Sequence, residues 1–214
     1  MSDLSAFTIY KQDAGMTAAI DLVTPLLGSG SLLLGPNGTA GRRINMVRTT
    51  TPNSFTSGRA RFLLGTTVVG SLDAFGFVFQ LSQADLTGAS GQAYAYYVEQ
   101  AAGSSWQPKL GKITAGLATR TVLASGTAYT ATTARAVEVQ WLLDIPNLGG
   151  MQLTVKLGTA LDYSDLVLDS ALNILVSTSV LTTSVGEGPM LATSGPTTGS
   201  YRYDHFEVVP LIVG

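Results

Sequence analysis

Cysteine is missing altogether, histidine occurs once, and charged residues make up only 12% of the 214-residue chain, against roughly 25% in an ordinary globular domain. Without cysteine there is no thiol catalysis, no disulfide and none of the common structural zinc sites. One histidine, His205, cannot anchor zinc, and a Ser-His-Asp arrangement would have to use it. Asp204 precedes it directly, but neighbours on a strand point to opposite faces, so the two are not a ready-made dyad. Neither a Gly-x-Ser-x-Gly elbow nor a Walker-type phosphate loop occurs. A net charge of −2 lacks the basic footprint of a nucleic-acid or anionic-membrane binder. The start, Met1 to Phe7, has neither the basic nor the apolar region of a secretory signal, and apolar runs such as 32–34 and 139–143 are far short of the ~20 residues that span a bilayer. The expectation is a soluble protein that folds where it is made.

What the chain has instead is period two. In Ala136 to Leu143, Val137, Val139 and Trp141 share one face while Glu138 and Gln140 share the other, the pattern of a half-buried strand. Ala60, Phe62 and Leu64 alternate with Arg59 and Arg61; Phe75, Phe77, Phe79 and Leu81 with Gly76, Val78 and Gln80; Met151, Leu153, Val155 and Leu157 with Gln152, Thr154 and Lys156. Shorter strands are expected over 7–10, 19–23, 31–34, 44–48, 93–99, 172–176 and 201–209, and no amphipathic helix is evident. Turn residues separate the runs: Asn37-Gly38, Pro52-Asn53, 88–91, 146–150 and 195–199. Asn37-Gly-Thr39 is also a glycosylation sequon, though Asn-Gly is read here as a tight turn. About a dozen short strands with such loops predict an all-β antiparallel sandwich or jelly roll, in one domain over 1–214. Residues 1–56 are less regular, an arm or edge-strand extension; 57–209 form the core sandwich, and 210–214 an apolar tail.

The order Ser57-Gly-Arg-Ala-Arg-Phe-Leu63, Phe75-Gly-Phe-Val-Phe-Gln80, Ala93-Tyr-Ala-Tyr-Tyr-Val-Glu99 and Leu110-Gly-Lys112 resembles the concanavalin A-like (laminin G-like) jelly roll. Val137 to Trp141, Leu153 to Lys156 and the closing Tyr201-Arg-Tyr-Asp-His-Phe-Glu-Val208 continue it, so the resemblance covers about three quarters of the chain. In the last strand, alternation puts Tyr203 and His205 on one face and Asp204, Phe206 and Val208 on the other, with Phe206 and Val208 in the core. Asp204 then needs a loop or backbone donor.

The resemblance implies several chemistries. Members that hydrolyse glycosides carry closely spaced carboxylates on one strand face. Here the glutamates are Glu99, Glu138, Glu187 and Glu207, and none has an acidic residue two places away, so the expectation is no catalytic residue and no enzyme. A carboxylate pair assembled from different strands is the exception left open. No cofactor is expected, apart from calcium at Asp162, Asp165 and Asp169, three carboxylates within eight residues; an ordinary solvated loop is the alternative. A glycan would need an exposed aromatic ring beside hydrogen-bonding groups, and the candidates are Trp106, placed in a loop, and Tyr97. Finally, a neutral surface rich in Thr, Ser and Gly costs little to desolvate, which suits repeated protein contacts. In this it resembles accessory virion proteins of tailed bacteriophages. That resemblance implies a non-enzymatic virion structural protein, in capsid decoration or the tail, folded in the host cytoplasm, whose partners are other virion proteins and further copies of itself. A carbohydrate-binding adhesion module is the alternative function, and a glycan-active enzyme the third.

Overall fold

A computed structural model describes residues 4–5, 7–35, 43–48, 55–66, 74–82, 91–101, 105–114, 119–130, 134–192 and 201–211. Its strands are, in chain order, β1 (Phe7–Gln12), β2 (Ala18–Asp21), β3 (Ser31–Leu34), β4 (Arg43–Arg48), β5 (Gly58–Thr66), β6 (Ala74–Phe79) and β7 (Gln92–Gln100). Then come β8 (Ser105–Thr114), β9 (Thr119–Ser125), β10 (Tyr129–Thr130), β11 (Arg135–Asp144), β12 (Gly150–Gly158), β13 (Val167–Val176), β14 (Gly188–Ala192) and β15 (Tyr201–Pro210). One helical turn, α1 (Ile145–Leu148), joins β11 to β12. Asp144 caps it, accepting a hydrogen bond from Asn147 N, and Gly149 ends it at φ 69°, a conformation glycine adopts without penalty.

Two antiparallel sheets make a sandwich. The first, sheet A, runs β1-β4-β14-β6-β7-β8-β10, with β9 also on β8; the second, sheet B, runs β13-β12-β11-β5-β15-β3-β2. Residues 7–48 supply β1 and β4 to sheet A and β2 and β3 to sheet B, each pair at an edge. The turns expected at Asn37-Gly38, Pro52-Asn53 and 195–199, and most of the tail after Pro210, lie outside the described residues.

The core follows from the alternation. Phe62 of β5, Val137, Val139 and Trp141 of β11 and Leu153 and Val155 of β12 face Phe75, Phe77 and Phe79 of β6 and Tyr94 and Tyr96 of β7. Phe62 stacks on Phe77 at 5.0 Å and Trp141 on Phe79 at 4.9 Å. Tyr203 ties the sheets together, its hydroxyl donating to Met190 O at 2.5 Å and accepting from Gly76 N at 3.1 Å. Sheet A is apolar on its other face too: Ala74, Val78, Ala93, Ala95, Tyr97, Ile113 and Met190 form a second buried cluster. The Gly76, Val78, Gln80 side of β6 is therefore buried instead of wet.

In β15 the alternation breaks. A bulge between Asp204 and Glu207 shifts the register against β5, so Tyr203 shares the core face with Phe206 and Val208 instead of with His205. Asp204 faces outward and finds the donors it requires: Leu27 N at 3.1 Å, Ser31 Oγ at 2.8 Å and its neighbour His205 N at 2.8 Å. Beside it the buried Arg202 pairs with Asp21 at 2.6 Å, and Val23 N, Thr24 N and Thr24 Oγ1 complete the carboxylate's partners. These bonds fasten the loop after β2 across the outer face of β15.

Candidate functional site

The outer face of sheet B gathers charge in a chain that has little of it. Strand registry places Glu207 opposite Arg61, Arg61 opposite Glu138, and Glu138 opposite Lys156, so one rung across β15, β5, β11 and β12 alternates in sign, a favourable cross-strand arrangement. Glu138 is 1% exposed and takes Arg61 Nε at 2.7 Å, Lys156 Nζ at 2.8 Å and Gln140 Nε2 at 2.8 Å. Burial alone would push its carboxyl up, but the hydrogen bonds and charges of Lys156 and Arg61 outweigh that and hold it below the ordinary value. Glu207, by contrast, is 41% exposed and lies 3.7 Å from Arg59 and 4.0 Å from Arg61. The next rung carries Arg59, Gln140, Thr154 and Asn173. Asn173 Oδ1 accepts from Gln152 Nε2 at 2.6 Å and from Thr154 Oγ1 at 3.1 Å. The result is an open face with many donors and acceptors that are half exposed and already fixed in place.

One end of this face is built from two residues in a rarely populated backbone conformation. Tyr163, in the loop joining β12 to β13, has φ 64°, and His205, at the β15 bulge, has φ 51°. Their rings meet edge to face at 5.2 Å, the Tyr163 hydroxyl donates to His205 O at 3.3 Å, and the Arg61 guanidinium lies 5.8 Å from the Tyr163 ring centre. Burial, then the Asp204 charge, pushes the Tyr163 hydroxyl's pKa up, so it stays a hydroxyl. Non-glycine residues at positive φ cost energy and cluster where function keeps them. The loop is held by its own acids. Asp165 takes Thr159 N, Thr159 Oγ1 and Ala160 N, and Asp162 takes Ser164 N and Ser164 Oγ.

The aromatic residues expected to meet a glycan lie elsewhere and are covered. Trp106 is not in a loop but on β8, 1% exposed, packed edge-on against Phe75 at 5.0 Å and Tyr201 at 6.2 Å. Pro108 lies inside this strand. It falls where the β9 pairing has ended, after Lys109, and the β10 pairing has not begun, before Trp106, so its missing N–H costs no ladder bond. Tyr97 does point away from the core, opposite to Tyr94 and Tyr96, but it is fully buried in the second cluster with Arg120 5.7 Å above its ring. Burial pushes its hydroxyl up to about 12.

The calcium candidates do not converge. Asp165 turns both oxygens and Asp162 its Oδ1 to the loop donors above, and Asp169 takes Thr127 N and Ala171 N. Among the described residues no three metal-ligating side chains come together.

Sequence reasoning passed over Tyr163, weighed His205 only for zinc and for a triad, and treated Arg59, Arg61, Glu138, Gln140, Thr154 and Lys156 only as the wet sides of separate strands. Those wet sides were the available signal. Strand order turns them into one surface.

No family model matches the sequence, and no curated protein does. Solved structures match its shape. The cellulose induced protein Cip1 superposes with a TM-score of 0.64 at 12% identity, covering 99% of this chain and 94% of that one. The carbohydrate binding module CBM66 from Bacillus subtilis gives 0.56 at 13% identity, with 97% and 98% covered. The legume lectin-like domain from Entamoeba histolytica gives 0.55 at 11%, with 94% and 90% covered. Enzymes share this shape as well, so shape alone does not decide catalysis. At these identities the likeness establishes the fold: the chain is an antiparallel β-sandwich, a concanavalin A-like jelly roll.

Proposed function

We propose that the protein is a carbohydrate-binding module that recognises glycan on the outer face of sheet B without cutting it. The observation that carries this reading is the paired rungs of fixed hydrogen-bonding groups beside the Tyr163–His205 wall. A sugar presents ring hydroxyls and an apolar C–H face, and this surface offers Arg61, Gln140, Lys156, Asn173 and Glu207 to the first and the Tyr163 ring to the second. The face is open, which suits an extended chain better than a single terminal sugar. Carbohydrate-binding proteins among the structures of the same shape add support.

Catalysis finds less support. Glu138 and Glu207 share a rung with one strand between them, roughly 10 Å apart at the backbone by strand spacing, and Arg61 lies between them. A general acid needs a raised pKa, whereas that of Glu138 is lowered. The role in a virion expected from composition gains nothing from the fold, and none of the similar structures named above is a virion protein.

A glycan array followed by titration calorimetry tests the proposal. Tyr163→Ala and Gln140→Ala should each weaken the best glycan at least tenfold while the circular dichroism spectrum is kept. An array blank for neutral and acidic glycans alike overturns carbohydrate binding. Binding indifferent to both substitutions overturns this face as its seat, and release of shortened or unsaturated sugars overturns the absence of catalysis.

A further inference from the structure

A second concave feature lies at the rim of the sandwich, where the edges of the two sheets diverge. It is a cavity of about 340 Å³ lined by Thr127 to Tyr129 from the sheet A side and by Arg135, Leu157 and residues 167–170 from the sheet B side. Its size is that of a small-ligand pocket. The Arg135 guanidinium lies 4.4 Å from the Tyr129 ring centre, and Arg135 Nε is buried without a hydrogen-bond partner. Behind the residues that line the cavity, the fully buried Tyr96 hydroxyl is partnered by the Tyr129 hydroxyl. Buried polar atoms are almost always satisfied, so the orphaned guanidinium Nε at this cavity calls for an acceptor. Asp169, also in the lining, turns its oxygens to Thr127 N and Ala171 N instead of to Arg135 Nε. The cavity mouth is apolar: Val167 is 68% and Leu168 44% exposed, both on an edge strand. Gly126 keeps the floor open, since a Cβ there would lie 2.3 Å from Asp169 Oδ2.

We propose that this rim cavity is a subsite for an organic carboxylate, whose oxygens meet Arg135 Nε and the Tyr129 hydroxyl while its carbon skeleton lies against Leu157, Val167 and Leu168. The guanidinium is a cationic donor with no acceptor at its Nε, so the ligand must bring acceptors and negative charge. The planar guanidinium pairs well with a carboxylate, and the exposed leucine and valine reward a ligand with an apolar body over a bare inorganic anion. A uronic acid and a free aromatic acid share this chemistry. The subsite is independent of the face proposed above for glycan.

Titration of the intact chain with sodium glucuronate, sodium benzoate, glucose and sodium sulfate, followed by calorimetry and amide NMR shifts, tests the assignment. At least one carboxylate should saturate at millimolar concentration, moving the resonances of Tyr129 and Leu168. Glucuronate alone identifies a sugar acid and benzoate alone an aromatic acid, and either supports the subsite. Arg135→Gln should abolish binding. Tyr129→Phe should weaken the carboxylate at least fivefold while the circular dichroism spectrum is kept. Tyr163→Ala should leave this binding unchanged. The proposal is overturned if neither carboxylate binds, if glucose or sulfate binds as tightly, or if Arg135→Gln leaves the affinity as it was.

Discussion

Two carboxylates show how position sets the behaviour of a residue. Asp21 and Glu138 are both buried, and each is surrounded by a cation and further donors. The guanidinium of Arg202, first among its partners, holds Asp21 far below the usual carboxylate range; Glu138 is lowered in the same direction. A carboxyl whose folded pKa lies below its unfolded value stabilises the fold where both states are ionised, above pH ~4, and that contribution fades as pH falls toward the folded value. Urea midpoints should therefore be flat from pH 7 to about 5 and drop below pH 4. Asp21→Asn should lower the neutral-pH midpoint and make the acid drop shallower. An unchanged acid slope in the variant would remove Asp21 from the account. Calcium is tested at the same scale: since Asp162, Asp165 and Asp169 are each occupied by N–H or O–H donors, Tm should be equal in excess calcium and in chelator. A rise of several degrees with calcium would show that the loop reorganises around the ion.

Among the elements, β15 is where one extra residue changes the chemistry. The bulge at His205 moves Tyr203, Phe206 and Val208 onto the same side and turns His205 outward, against Tyr163. Because His205 sits at φ 51°, a β-branched residue there should be strained and glycine should not. His205→Val should be less stable than His205→Gly by about 1–2 kcal/mol in chemical denaturation, and His205→Gly should keep the fold while weakening glycan. Equal stabilities would mean that the left-handed conformation is not retained in solution. The bulge could not be read from the chain. Tyr201 to Val209 alternates without interruption, and nothing local in Asp204-His205-Phe206 marks an extra residue. β8 was misread for a related reason: Gly103, Ser104 and Pro108 are loop formers by propensity, and only the gap between the β9 and β10 pairings makes Pro108 tolerable in a strand.

Over the whole molecule, the described residues hold the two sheets together by apolar contact, by a hydroxyl that crosses the core and, at the rim, by Asp169 on Thr127 N and Arg135 on the Tyr129 ring. Tyr203 Oη serves Met190 O and Gly76 N at once. Tyr203→Phe fills the same volume but leaves a buried carbonyl and a buried N–H without partners, which should cost about 2 kcal/mol. A loss below about 0.5 kcal/mol would show that water or a backbone shift replaces the hydroxyl. The low charge content takes on a spatial meaning at this scale. One face of sheet A is spent on the core and the other on a second apolar cluster, and five charged residues, Arg59, Arg61, Glu138, Lys156 and Glu207, are set into two adjoining rungs of sheet B.

Side-chain direction along a strand has a period of two, and that is a local property. For this reason the all-β class, the core faces of β5, β11 and β12 and the wet faces carrying Arg61, Glu138 and Lys156 were legible in the residues alone. Which wet faces adjoin depends on pairing between strands far apart in sequence, as Arg61 with Glu138 and Glu138 with Lys156, and no local pattern encodes it. Burial on the far side of a sheet is equally nonlocal. Every residue of β6 is buried, so its alternation distinguishes nothing, and Trp106 and Tyr97 look the same in sequence whether covered or exposed. The tertiary structure therefore decided which aromatic residues are covered, burying Trp106 and Tyr97 and leaving Tyr163 and His205 beside the charged face, because only packing determines which rings stay at the surface.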